Sequence, residues 1–319
     1  PQPSCAGDPQ PSCAGDPQPS CAGDPQPSCA GGVVLPLPKE KPKGVSVFFL
    51  VNEFEKQVKT VCSQYNETTT FEELDAWIWG SYDDRKEAGG PVNVVDWFRH
   101  KTMREGGASL CDAIGRKSPG SVGDATIFIN WAWRYRVWDF VYALGWYCEL
   151  QKLDPQKTFC CICFFNSIQH VWFQPGGVSN AVEIFESNVR MVGTVAVVLD
   201  TLDARRSIYF SRLWTIFEVY IAIRNELQIV IAPMNVAYDE THTFLLRASS
   251  ERDEVVFANH VRKLMKVDMA AASASTPQDA DSIRRQVGRL GGDQAMTDAV
   301  VKAFASMTGL DDLAREGCQ

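Results

Sequence analysis

The sequence predicts an α/β domain: a parallel sheet of about four to five strands with flanking helices, carried behind a disordered repeat tail. Three observations lead there. Apolar runs of strand length alternate with helix-length stretches between about 120 and 235. Those runs have few polar positions, the mark of strands covered on both faces. Pro and Cys are concentrated at one end, with eleven of the 17 prolines and four of the 11 cysteines in the first 42 residues.

Residues 1–32 are one octapeptide written four times, PQPSCAGD three times and then PQPSCAGG. The repeat has no large apolar side chain and cannot build a core, so extended, polyproline-like disorder is expected, followed by a Pro/Lys linker. The plan expected is tail and linker over 1–43, a helical extension over 44–117, the α/β domain over 118–235, and a helical segment over 236–319 packing on it. In the extension, 44–51 is a β-branched and aromatic run and 53–62 has helical character. Thr70 can cap a helix over 71–78, with Glu73 placed as in a capping box. A further amphipathic helix is expected over 92–104, and 118–123 reads as a loop.

The α/β part then has strands expected at 125–129, 158–165, 194–199 and 227–232. Helices are expected at 135–150, 181–192 and 211–225, with a loop rich in Gln, Pro and Gly over 169–179. Beyond it, Thr276 and Pro277 open a helix with an apolar stripe at Ile283, Val287 and Leu290, ended by Gly291-Gly292. A last helix is expected over 294–307.

Composition narrows the function. With 31 basic and 39 acidic residues the net charge is −8 and no basic block exists, which argues against nucleic-acid binding. No apolar run approaches the ~20 residues of a membrane span, so no membrane partner is expected. Three of the seven cysteines outside the repeats, Cys160, Cys161 and Cys163, sit in one apolar run, unlike a secreted disulfide framework. A reducing, cytoplasmic location is therefore expected. No N-terminal stretch has the parts of a signal peptide, although a chain that begins with Pro is also what a fragment or a processed form would show.

Open parallel sheets bind ligands outside the carboxyl ends of their strands. Candidate ligand-binding residues follow from that rule: Asn130, Trp131, Trp133 and Arg134 after the first parallel strand, and Asn166, Gln169 and His170 after the second. Asp200, Asp203, Arg205 and Arg206 follow the third, and Arg212, Trp214 and Glu218 lie on the helix after it. Glu218 falls one turn after Trp214 on a helix face with hydroxyls, and an ordinary solvated glutamate is the plain alternative. Cys160 and Cys163 make a C-x-x-C spacing, but inside a strand, where core cysteines are expected rather than a redox pair. His170 could equally be a base or a loop hydrogen-bonding residue. No spacing of the four histidines suggests zinc, and no phosphate-binding glycine motif is present.

Several stretches resemble TIR-like domains. Ala125-Thr126-Ile127-Phe128-Ile129-Asn130-Trp131 resembles their first strand, written "VFLSF" in plants and "ATHFVSHWW" in a protist family abundant in dinoflagellates. Asn166 with Gln169-His170 resembles that protist family's "NNQH". Ser211-Arg212-Leu213-Trp214-Thr215-Ile216-Phe217-Glu218 resembles "SRWCLxEL" and "TRxWCxFE", with the same Trp-to-Glu spacing. The likeness covers about 108–290 and departs at Asn130-Trp131, where the family has Ser-His, and at Thr215, where it has Cys. The resemblance implies a flavodoxin-like fold. It also implies NAD-type nucleotide binding or NAD glycohydrolase activity with Glu218 as the catalytic carboxylate, NAD as substrate and no cofactor required. The other implied role is a non-catalytic module acting by self-association or partner docking.

Overall fold

Apolar β-branched runs that must be covered on both faces favour central parallel strands, and those runs form the middle of the sheet. The structure, a computed structural model, describes residues 33–79, 108–172, 178–201, 203–234, 267–274 and 277–307. The repeat tail, the helix expected over 92–104, and residues 235–266 and 308–319 lie outside the described residues.

Four parallel strands carry the fold: β3 (Ile127–Asn130), β4 (Phe159–Cys161), β5 (Thr194–Leu199) and β6 (Gln228–Pro233). Parallel pairing joins β4 to β3, β3 to β5 and β5 to β6. Two more strands, β1 (Lys43–Ser46) and β2 (Val122–Asp124), extend the sheet beside β4. The order is β2-β1-β4-β3-β5-β6, and β1 is antiparallel to both neighbours. The sheet is therefore mixed and six-stranded, not all parallel. Residues 118–123, expected as a loop, divide into a 3-10 turn at Pro119–Ser121 and the start of β2. The segment over 44–79 also contributes β1 to the sheet.

The helices match the amphipathic stretches. The chain leaves β1 through α1 (Val47–Phe49) and a π turn (Leu50–Phe54) into α2 (Glu55–Val61). Next come α3 (Phe71–Trp79), α4 (Leu110–Lys117) and α5 (Val137–Leu150). At the start of α3 the Thr70 N–H and Glu73 carboxylate bond at 2.8 Å, and the Glu73 N–H returns to the Thr70 hydroxyl at 3.3 Å. The second parallel strand is shorter than expected. Ile162 turns the chain, and Cys163–Asn166 is the helical turn α6, followed by α7 (Gln169–Trp172). The reason is local: the Asn166 side chain accepts the Ile162 N–H at 2.8 Å and so closes a turn. Helices α8 (Ala181–Val192) and α9 (Leu213–Arg224) cover one face of the sheet, and α10 (Pro277–Arg289) and α11 (Gly292–Met307) follow later in the chain. Gly193 ends α8 with φ +83°, a left-handed conformation that glycine takes without strain, and releases the chain into β5.

Two layers of apolar side chains flank the sheet. Phe128, Cys161, Val195, Val189, Val192 and Ala222 fill the face under α8 and α9. The larger core on the other face joins Ile127, Ile129, Phe140, Leu144 and Phe71, and runs on to Phe304 of α11. Burying each large apolar side chain contributes roughly 1.5–3 kcal/mol, which is what holds these layers together. Tyr220 Oη and Arg224 Nη1 on α9 donate to the Leu290 carbonyl at 2.8 and 3.1 Å, so the C-terminal pair of helices backs α9.

Candidate functional site

The carboxyl ends of β3 and β4 and the middle of α9 bring Asn130, Trp131, Trp133, Cys163 and Glu218 together. Phe71 at the start of α3 supports the loop after β3: its N–H donates to the Tyr135 carbonyl, and that of Glu72 to the Trp133 carbonyl, both at 3.1 Å. Trp131 then stacks on Trp133 with centroids 5.6 Å apart and packs edge-on against Phe71 at 4.5 Å. Phe164 meets Trp133 at 5.7 Å, which ties β4's exit to the same aromatic group.

Asn130 is fully buried, and its Nδ2 donates to the Thr215 carbonyl at 2.8 Å. Tyr209 Oη donates to the same carbonyl at 3.2 Å. These two bonds set the first turn of α9 against the end of β3. Among the described residues Asn130 Oδ1 has no hydrogen-bond partner, and neither has the indole N–H of the buried Trp131.

Glu218 follows one turn later. It keeps partial solvent access, and among the described residues it has no hydrogen-bond or ion-pair partner. The protein around it penalises the charged form and lifts its carboxyl to about 8. The Cys163 thiol lies beside it, pushed up to about 12 by burial and then by the Glu218 charge. The indole N–H groups of Trp133 and Trp131 face that sulfur and favour its thiolate, but burial outweighs them; the Trp131 N–H approaches without reaching regular hydrogen-bond geometry. Burial also raises Cys161 and Tyr209, and both feel the Glu218 charge. The arrangement is a largely protonated carboxyl in an aromatic, weakly polar surrounding. Such a group ionises when a cation is placed beside it.

The remaining predicted residues divide. Arg212 is half-buried, its guanidinium held below its ordinary value first by burial; the Glu72 charge opposes this, and Arg134 adds to it. Arg134 itself is exposed on the rim. Trp214 packs on Phe185 of α8 at 5.0 Å, and Phe185 on Trp172 at 5.4 Å, so it belongs to an aromatic row between helices. Asn166 and Gln169 serve the backbone. The Asn166 amide donates to the Lys43 carbonyl, and Gln169 Nε2 donates to the Cys163 carbonyl at 2.9 Å. His170 lies in α7, and its side chain is outside the described residues.

The charged residues after β5 are likewise occupied. Asp200 accepts from Ser207 Oγ at 2.5 Å and the Ile208 N–H at 2.7 Å. Asp203 accepts from Arg205 twice at 3.0 Å and from Arg206 at 3.2 Å. They build the turn that leads to α9. Of the C-x-x-C pair, Cys160 is a buried core cysteine of β4 with its thiol well above its ordinary value, as is its neighbour Cys161. Cys163 lies outside the strand, at the start of the helical turn α6, and is only partly buried, so the pair is not wholly inside a strand as expected. Sequence reasoning missed Cys163 and Tyr209 as neighbours of Glu218. The one available signal was Asn166, four residues after Ile162 and able to close a turn that ends the strand at Cys161.

Among the described residues no group of three His, Cys, Asp or Glu side chains is arranged to hold a metal ion, and no helix is long and apolar enough to cross a membrane. No protein-family model matches the chain, and no curated protein and no solved structure matches it either.

Proposed function

We propose that this chain is a TIR-like, flavodoxin-like domain that binds an NAD-type nucleotide and cleaves its nicotinamide–ribose bond, with Glu218 as the key carboxylate. The observation that carries the reading is the half-buried Glu218 carboxyl, without a partner among the described residues and raised to about 8, beside the Cys163 thiol that the Trp131 indole also faces at the carboxyl edge of the sheet. Strand order supports the fold part. Counted along the chain, the parallel strands lie second, first, third, fourth, which is how the flavodoxin-like order begins.

The chemistry suits the site. Breaking the bond from C1′ of the ribose to the nicotinamide nitrogen sends the electron pair to the ring and leaves oxocarbenium character on the sugar. The cationic nicotinamide ring draws Glu218 into its charged form, and the carboxylate then stabilises the developing positive charge. Water adds its oxygen to C1′ and releases a proton. Trp133, Arg134 and Arg212, which keep solvent access, are the ligand-binding residues of this reading; the buried Asn130 and Trp131 shape the site from behind, and Trp214 is taken up by its packing on Phe185. Nicotinamide release by the full chain, measured beside Glu218→Ala, tests it; no release at high protein concentration, or equal release by both, contradicts it.

A second reading is favoured by a different surface. Trp138, Tyr142 and Leu150 on α5 are 44–48% exposed, with Phe48 and Val51 exposed nearby. Such a face suits docking to a partner or to a second copy in a non-catalytic signalling module. Concentration-dependent sedimentation tests it, and a strict monomer contradicts the self-association form. Both readings place the protein in a reducing, cytoplasmic setting, in keeping with the free state of the six described cysteines outside the tail.

A further inference from the structure

Asn180 stands at the N-cap of α8, where an asparagine normally accepts a backbone N–H from the first helical turn, yet its side chain makes no such cap. It is used elsewhere. Its Oδ1 accepts the Leu35 N–H at 3.0 Å and its Nδ2 donates to the Leu35 carbonyl at 2.7 Å. One side-chain amide thus reads both main-chain groups of a residue 145 positions away, as a neighbouring strand would. The contact is extended by a parallel bridge from Val33 to Val178 and by the Ser179 N–H donating to the Val33 carbonyl at 3.0 Å.

The held segment is built for an extended path. Pro36 and Pro38 fix their own φ and push Leu35 and Leu37 out of the helical region. Its other end is at the same edge of the sheet. Because β1 runs antiparallel to β4, with Val45 opposite Cys160, Lys43 lies at the carboxyl end of β4. There Asn166 donates to the Lys43 carbonyl while its Oδ1 closes the turn containing Cys163. Both asparagines come from the connection between β4 and α8, which also supplies Cys163, the neighbour of Glu218. The two ends differ in permanence. Lys43 continues into β1, whereas the Leu35 end is held by one amide and the Val33 contacts, with Val34 72% exposed.

We propose that residues 33–42 form a detachable strap along the carboxyl edge of β4, and that its release from Asn180 loosens the Cys163 turn and opens the Glu218 carboxyl to solvent. Asn180 is then a positioning residue, acting through Leu35, Asn166 and Cys163. The claim concerns the Glu218 carboxyl itself and stands whether or not that carboxyl meets a nicotinamide ribose.

The variant that tests it is Asn180→Ser in the full chain. Serine can cap α8, which keeps the helix stable, but it cannot bridge both groups of Leu35. Asn180→Ala serves as the second variant, without the cap. Two quantities are measured in each: amide hydrogen exchange at Leu35, and the titration of Glu218 by carbon-13 NMR, its signal identified with Glu218→Gln. Among the described residues the titratable groups facing Glu218 are Cys161, Cys163 and Tyr209, all held protonated near pH 8 by burial, so the midpoint reads Glu218. The expected result is faster exchange at Leu35 and a Glu218 midpoint that moves from about 8 to about 7 or lower. Faster exchange with an unmoved midpoint overturns the coupling, and unchanged exchange at Leu35 overturns the strap. NAD cleavage is not part of the readout, so failure here leaves the catalytic reading to its own test.

Discussion

Asn130 at the end of β3 donates its side-chain amide to the carbonyl of Thr215 in α9, at 2.8 Å and wholly inside the protein. This bond, with that from Tyr209, places Glu218 against the end of the sheet. Replacing Asn130 by alanine leaves a buried carbonyl short of a donor and should destabilise the fold by roughly 1–3 kcal/mol. Urea unfolding measures it; a change under about 0.5 kcal/mol would show that the bond does not hold α9 in place.

The antiparallel addition of β1 rests on a close approach. A Cβ at Gly44 would stand 2.8–3.0 Å from backbone atoms of Phe159 and Cys160. Backbone cannot yield as a flexible side chain does, so Gly44→Ala should cost about 1–3 kcal/mol. An unchanged urea midpoint would contradict the placement of β1 beside β4.

The sheet and its helices show where the sequence was legible and where it was not. Residues 194–199 and 181–192 are read correctly to the residue, because a strand covered on both faces and a helix with one apolar stripe leave opposite signatures. Val122–Asp124 leaves none, since three residues with a glycine in the middle have no period to detect. The site follows the same logic. Glu218 and Trp131 stand out by residue type and position, but hydrophobic pattern says nothing of how loop amides are used. Asn166 and Gln169 therefore read as ligand groups by position alone, whereas in the fold their amides serve the Lys43 and Cys163 carbonyls.

Glu218 makes stability depend on pH in a defined direction. Its carboxyl sits near 8 in the folded chain against an ordinary 4.5, so between those values the folded state holds a proton that the unfolded state has lost. The stabilisation is complete below about 4.5 and is lost as pH rises through about 8. Glu218→Gln removes this dependence. The variant should gain on the wild type by roughly 2–4 kcal/mol between acid and alkaline conditions, the value discounted for the side chain's partial solvent access. Parallel curves for the two proteins in urea titrations across that range would contradict the burial of the carboxyl.

The cysteines of the sheet should be inert. Cys160 and Cys161 are buried and protonated well above their ordinary values, and thiolate is the reactive form. Iodoacetamide at neutral pH should leave both unmodified in the folded protein and label them after unfolding, as followed by mass spectrometry. Rapid labelling of either in the native state would contradict their burial in the core.

The central claim is that the ionised Glu218 carboxylate drives cleavage of the nicotinamide–ribose bond. The most direct measurement is kcat/KM for nicotinamide release from NAD as a function of pH, because that ratio reports the free enzyme's own groups. The account predicts a rise of about tenfold per pH unit below the Glu218 midpoint, a plateau above about 8, and no activity in Glu218→Gln. A profile flat from acid to alkaline pH, or a Gln variant as active as the wild type, would contradict it.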